Sequence, residues 1–269
     1  MRESSSLRAD TVPSVKTELE WPYKPADFFE APYQSQTDAY TIVADADTVL
    51  VTLATPSDPI DPRLQDQITK HVEGLFLPRQ LLVHRTFKLE SVRVCQHRSD
   101  GLKERSISFA AKVSFIAAAA VEHLSIAEQC DVTVHNASGR LVQDSKSARI
   151  AEHTKFIDSI APKLASSATL NTLLERYNAA VADPANELVY LYEIREALAE
   201  HYGGNPEARR KLPISQNEWK RFNMLANVLP LKEGRHRGKH SKLRHATPDE
   251  LSEARKIVRR WIQSFAEQV

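Results

Sequence analysis

The residues best suited to chemistry in this 269-residue chain lie in one stretch, Lys232-Glu233-Gly234-Arg235-His236-Arg237-Gly238-Lys239-His240-Ser241-Lys242-Leu243-Arg244-His245. Three imidazoles stand there among six Lys and Arg side chains and a single acid. Such a patch attracts phosphate, and cations crowded around a histidine lower its pKa, so these imidazoles are expected to be neutral near pH 7. A neutral imidazole accepts a proton. A neighbouring guanidinium grips a phosphate oxygen through paired N–H groups and stabilises the negative charge that develops on it. Arg plus His is therefore a sufficient kit for metal-free cleavage of RNA through the ribose 2′-hydroxyl. His236, Arg237, Lys239, Arg244 and His245 are the candidate binding residues around that chemistry.

Two other readings of the stretch stay open. It also fits a solvated interhelical loop whose cations serve solubility or the negative C-terminal end of the preceding helix. His236 and His240 have the i, i+4 spacing of helical zinc ligands, with His245 as a third, but close cations oppose a divalent ion and no thiolate stands nearby, so no metal site is assigned. Elsewhere the candidates are weaker. Glu193 and Glu196 flank Arg195 and could approach the basic stretch across a bundle or simply pattern a helix surface. His97 and Arg98 beside Asp100 read as a solvated hairpin tip, Cys95 as strand packing, and Trp219, Phe222, Trp261 and Phe265 as core. A glycine-rich phosphate loop, a nucleophile elbow and a CxxC pair are all missing from the sequence, and no cofactor is implied.

The elements that must position the stretch are helical. Leu170, Leu173, Leu174, Tyr177 and Val181 share one face of a helix that Asp183-Pro184 ends. Leu188, Leu191, Ile194, Leu198 and Tyr202 share another, stopped by Gly203-Gly204. Ser215-Gln216-Asn217-Glu218 has the form of a capping box and opens a helix with Trp219, Phe222, Leu225, Ala226 and Leu229 on its face, closed by Pro230. Thr247-Pro248-Asp249-Glu250 opens the last helix, in which Leu251, Ala254, Val258, Trp261 and Phe265 make one apolar stripe. Four such helices with short connections predict a bundle.

Upstream the signals are mostly those of strands. Prolines 13, 22, 25 and 32 predict an extended N-terminal arm over residues 1–36. TIV and TVLVTL around Asp45-Ala46-Asp47 predict a hairpin, and Leu64, Ile68, Val72 and Leu75 a helix ending near Pro78. Residues 81–96 predict a long strand, turned at Ser99-Asp100-Gly101 into another over 105–117, with a further hairpin over 131–142. The expected fold class is α+β: a small antiparallel β-sheet domain over 37–150, then an all-α helical bundle over 151–269.

Arg235-His236-Arg237-Gly238-Lys239-His240 has the R-x4-H spacing, with a polar residue after the arginine, and in this it resembles the HEPN superfamily of helical-bundle RNases and nucleotide-binding proteins. The order of a bundle helix, the motif and a last amphipathic helix is also similar, over roughly residues 165–269. The resemblance implies Arg235 and His240 as the catalytic pair, His236 as the polar second position, a homodimer that joins two motifs in one composite site, and service in defence or stress responses. Residues five apart on an ideal helix diverge by about 140°, so convergence needs the motif at a helix end or a distorted turn, which Gly234 and Gly238 permit.

Composition bounds these readings. A net charge of +1 gives no global field for nucleic acid or membrane, so affinity must be local. Two cysteines, Cys95 and Cys130, suit a reducing compartment, and the charged, serine-rich first ten residues lack an apolar export segment, so a cytoplasmic location without membrane association is expected. Two functions follow: a metal-independent endoribonuclease, or a non-catalytic interaction protein that binds a nucleotide or RNA through the same stretch.

Overall fold

Strand β1 (Ser14–Lys24) follows from alternation: Leu19, Trp21 and Tyr23 are buried at every second position and so line one face of a pleated strand. The computed structural model describes residues 14–100, 103–107, 133–135, 141–235 and 242–269. Within them β2 (Tyr33–Gln36), β3 (Tyr40–Asp45), β4 (Thr48–Leu53), β5 (Lys88–Leu89), β6 (Arg93–Arg98) and β7 (Lys103–Ile107) join β1 in a seven-stranded sheet, ordered β2-β3-β4-β1-β6-β7, with β5 also against β1. Every pairing is antiparallel. Ile42 pairs with Val51, and Val51 with Leu19, which faces Val94, so a row of buried apolar side chains crosses four strands on one face.

The N-terminal arm expected over 1–36 is thus corrected: residues 14–24 are a strand flanked on both sides. Pro22 is tolerated there because its missing N–H costs no ladder bond. Its carbonyl accepts from Glu90 N at 2.8 Å, on the side where pairing with β6 ends at Glu20 and pairing with β5 resumes at Tyr23. The N–H and C=O of one strand residue point the same way, so the proline nitrogen falls in that gap.

The expected helix end at Pro78 and the strand over 81–96 are also corrected. Helix α1 runs over Pro62–Val83 with Pro78 inside it. Phe76 and Leu81 on either side are fully buried, and burying two large side chains outweighs the single backbone bond that the proline cannot make. The helix stops where His84 turns to φ 47, its N–H still donating to Gln80 O at 2.8 Å. Only β5 and β6 of the long strand form.

The described residues divide into two compact units, those within Met1–Thr69 and Phe87–Val113 in one and those within Lys70–Thr86 and Ser114–Val269 in the other. A single break near residue 150 is therefore not the division found, because the end of α1 goes with the helices: Leu81 is part of their apolar core. In that second unit are a two-stranded hairpin, β8 (Thr133–His135) with β9 (Leu141–Asp144), and helices α2 (Ser145–Ile160), α3 (Ala168–Ala182), α4 (Glu187–His201), α5 (Asn205–Lys211), α6 (Gln216–Asn223) and α7 (Pro248–Ala266). The class is α+β, as the sequence predicts.

The helical core is built from the anticipated faces. Leu170, Leu173, Leu174 and Tyr177 of α3, Leu188, Leu191, Ile194 and Leu198 of α4, and Ala254, Val258, Trp261 and Phe265 of α7 are all essentially inaccessible. Asp144, Ser167, Ser215 and Thr247 cap α2, α3, α6 and α7 through side-chain oxygens. The reciprocal half of the box forms only at Thr247, where the Glu250 carboxylate accepts from Thr247 N at 2.8 Å. At Ser215 it does not, because the Glu218 carboxylate is held instead by Trp261 Nε1 at 2.7 Å and Arg260 at 2.5 Å. After α6 the chain widens into a π turn over Met224–Val228, which buries Leu225 and Ala226 while leaving Met224 and Val228 exposed. Among the described residues no helix is long and apolar enough to cross a membrane.

Candidate functional site

The basic stretch leaves the π turn and returns to α7 with its two ends tied together. Leu231 and Arg244 form a parallel bridge, in which Lys232 N donates to Arg244 O at 2.9 Å and Arg244 N to Pro230 O at 3.0 Å. Gly234 makes the tight reversal possible, since a Cβ there would stand 3.2 Å from Leu231 O and 3.4 Å from Ala226 O. Arg235 N then donates to Ala226 O at 2.9 Å. Glu233, the single acid, is the hub of the returning strand: its buried carboxylate accepts from Ala246 N at 2.9 Å and pairs with His245 Nδ1 at 2.8 Å. Burial alone would push the Glu233 carboxyl up, but the Ala246 N–H and His245 together hold it below the ordinary glutamate value. Lys232 Nζ reaches the other His245 nitrogen at 3.0 Å, so Nε2 is the acceptor and Nδ1 carries the hydrogen toward Glu233.

Of the candidate residues, three can be placed. Arg244 is gripped by both oxygens of Glu250 at 2.6 and 2.7 Å, which brings the Glu250 carboxyl down to about 2. His245 lies between Glu233 and Lys232 as above. Arg235 is fixed at three points: its backbone on Ala226, its guanidinium on Glu196 Oε1 at 2.5 Å, and the guanidinium carbon 4.7 Å over the Tyr192 ring. Glu196 thus crosses to the stretch, whereas Glu193 pairs with Arg176 at 3.2 Å. His236, Arg237, Lys239 and His240 lie outside the described residues, so the pairing of Arg235 with His240 and any zinc set that includes His236 and His240 lie outside them too. Among the described residues no group of three or more His, Cys, Asp or Glu side chains could hold a metal ion.

Arg235 continues a stack. Arg195 lies 4.9 Å from the same Tyr192 ring and 4.7 Å from Trp219, donating to Tyr192 Oη at 2.6 Å. Trp219 in turn packs on Trp261 at 4.7 Å. The aromatics that the sequence assigns to the core are buried, yet Tyr192 and Trp219 also present faces to arginines.

A second set of groups, buried in the helical unit, is one that sequence reasoning misses. Glu187 opens α4, is 1% exposed and receives Arg255 of α7 bidentately at 2.6 and 2.7 Å. His84, at the end of α1, stands 3.7 Å from the same carboxylate and 3.1 Å from Tyr177 Oη. Arg259 closes the group by donating to Leu82 O at 3.3 Å. Burial, then Arg255 and Arg259, push the His84 imidazole down to about 3, so near pH 7 it is neutral and its contact with Glu187 is no ion pair. Burial likewise raises Tyr177 to about 12. It also raises Glu187 despite Arg255, with Glu233 adding to the rise. No spacing rule joins these residues, which lie 68 positions apart at Glu187 and Arg255. The one local sign is a histidine where a helix wants glycine.

On the first unit, His97 is not at a solvated tip. It lies within β6 and binds Glu18 at 2.6 Å, while Arg98 pairs with Asp100 at 3.4 Å and Cys95 is buried.

Chemically, the stretch offers a rigid guanidinium, an acid-anchored return and a run of further cations between them. No protein-family model matches the chain, and neither the curated proteins nor the solved structures give a match.

Proposed function

We propose that the helical unit binds RNA at the 232–245 stretch and cleaves it without a metal ion, in the manner implied by the HEPN resemblance. His240 takes the proton of a ribose 2′-hydroxyl as that oxygen attacks the adjacent phosphorus. It then returns the proton to the departing 5′-oxygen, leaving a 2′,3′-cyclic phosphate and a 5′-hydroxyl. Arg235 stabilises the charge that gathers on the phosphate oxygens, and a second copy of the chain supplies the other half of a composite site.

The observation that carries this reading is the immobilisation of Arg235 by Ala226, Glu196 and Tyr192. A cation aimed in advance stabilises a transition state without reorganisation at the moment of reaction, whereas a cation kept for solubility needs no such clamp. Glu196 occupies one side of the guanidinium and offsets part of its charge, Tyr192 adds no counter-charge, and the Arg235 side chain is 40% exposed, which leaves its outer edge open to a phosphate.

The test is incubation of the protein with end-labelled single-stranded RNA in EDTA. Cleavage to cyclic-phosphate ends is expected, reduced by roughly 10²–10⁴ in His240→Ala and by roughly 10²–10³ in Arg235→Ala. RNA retained but never cut would replace the enzyme by a binding module. RNA neither bound nor cut would remove both.

A further inference from the structure

Beside the π turn is a hollow of about 350 Å³, walled mostly by apolar atoms of Arg195, Trp219, Lys220, Asn223 and Met224, at the lower end of the roughly 300–1,000 Å³ usual for small-molecule sites. Two of its lining residues carry buried donors with no hydrogen-bond partner, Trp219 Nε1 and Arg195 Nε. Trp219 is only 5% exposed, and an orphaned donor at such depth calls for an acceptor. Met224, another lining residue, is 40% exposed and has an unbranched, freely rotating chain. The hollow is also tied to the cationic stretch. The Arg195 and Arg235 guanidinium carbons lie 4.9 and 4.7 Å from one ring centroid, that of Tyr192, so they are no further apart than those two distances together. Two cations that close can serve one nucleotide or two adjacent ones.

We propose that this hollow is a nucleobase subsite, which takes a base with an acceptor edge while the phosphate of the same or the adjacent nucleotide lies at Arg235. The inference rests on reading Arg235 as a phosphate ligand. The base enters as the Met224 side chain swings aside, and that movement must also uncover the two vacant N–H groups, both covered in the resting structure, before the acceptors of the base meet them. Guanine fits through O6 and N7, the pair that arginine reads elsewhere. Adenine does not, because its N6 amino group would set a donor against a donor. Lys220, at the rim, adds charge attraction for the strand that carries the base.

The experiment follows the Trp219 indole N–H in a ¹H–¹⁵N spectrum, assigned with Trp219→Phe, as 5′-GMP, 5′-AMP, ribose 5-phosphate or a guanosine-containing RNA pentamer is added to the full chain. Expected are a shift with GMP and at least tenfold weaker binding of AMP. In Met224→Trp, which fills the hollow from an exposed position, the base preference disappears while ribose 5-phosphate still binds. Tighter binding of the pentamer identifies an RNA strand as the source of the base, and equal binding a free nucleotide. Equal affinities for GMP, AMP and ribose 5-phosphate overturn the subsite and leave the Arg235 reading standing. GMP binding unaffected by Arg235→Ala overturns that reading, and with it the premise of the subsite.

Discussion

Acid should destabilise the helical unit through one imidazole. His84 is held at φ 47 against Tyr177, Glu187, Arg255 and Arg259, and its pKa falls from 6.5 to about 3, first by burial and then by the two arginines. A depressed value means that the unfolded chain binds the proton earlier, so this group favours the fold above its unfolded pKa and loses that contribution as pH falls from about 7 toward 3. Between pH 7 and pH 5 the unfolded imidazole becomes almost fully protonated while the folded one does not, which costs about 2 kcal/mol. The figure is insensitive to the folded value so long as it lies well under 5. Urea unfolding followed by far-ultraviolet circular dichroism at the two pH values measures it, in the wild type and in His84→Asn. Asparagine tolerates positive φ and removes the titration. The variant should lose about 1–2 kcal/mol at pH 7 through the missing Tyr177 hydrogen bond and packing, and should show a pH dependence flatter by about 2 kcal/mol. His71, also lowered by burial, contributes equally to both proteins and cancels. An imidazole resonance of His84 titrating near 6.5, or an unchanged slope in the variant, would refute the reasoning.

Other outcomes follow from the same contacts. Glu187→Gln removes the counter-charge of a partly buried Arg255, and a stability loss near 3 kcal/mol, the low end for a broken buried pair, should appear in denaturant unfolding. Thr247→Ala removes the cap of α7 and should cost about 1 kcal/mol, read as a lower Tm. Gly234→Ala drives a Cβ against two backbone carbonyls and should cost about 1–3 kcal/mol. The same change should loosen Arg235 from Ala226, so RNA binding should weaken more in Gly234→Ala than in Thr247→Ala when both are tested below their melting temperatures.

What the sequence made legible was whatever depends on neighbours a few residues away. The Thr247 box, the Gly203-Gly204 stop and the apolar stripes of α3, α4 and α7 are local patterns, and each forms. The hairpin of β3 and β4 is local too. The errors came where a strong single-residue signal opposed a weaker pattern. Prolines mask the alternation of Leu19, Trp21 and Tyr23 in β1, and Pro78 reads as the end of a helix that its buried flanks carry on to Val83. Distance accounts for the rest. Glu196 at Arg235 could be suspected, but the meeting of His84, Tyr177, Glu187 and Arg255 depends on three helices and a helix end converging. The Ser215 box failed because Trp261, 43 residues further on, claims the glutamate.

The tie between Leu231 and Arg244 separates durability from innovation. Because backbone bonds stitch the chain at Leu231 and Arg244, extra length inserted between the stitches raises the cost of joining them only slowly, by about 0.6 kcal/mol per doubling. An insertion made directly after Arg235 should therefore shift the melting temperature of the helical unit little, which thermal unfolding of the lengthened chain measures.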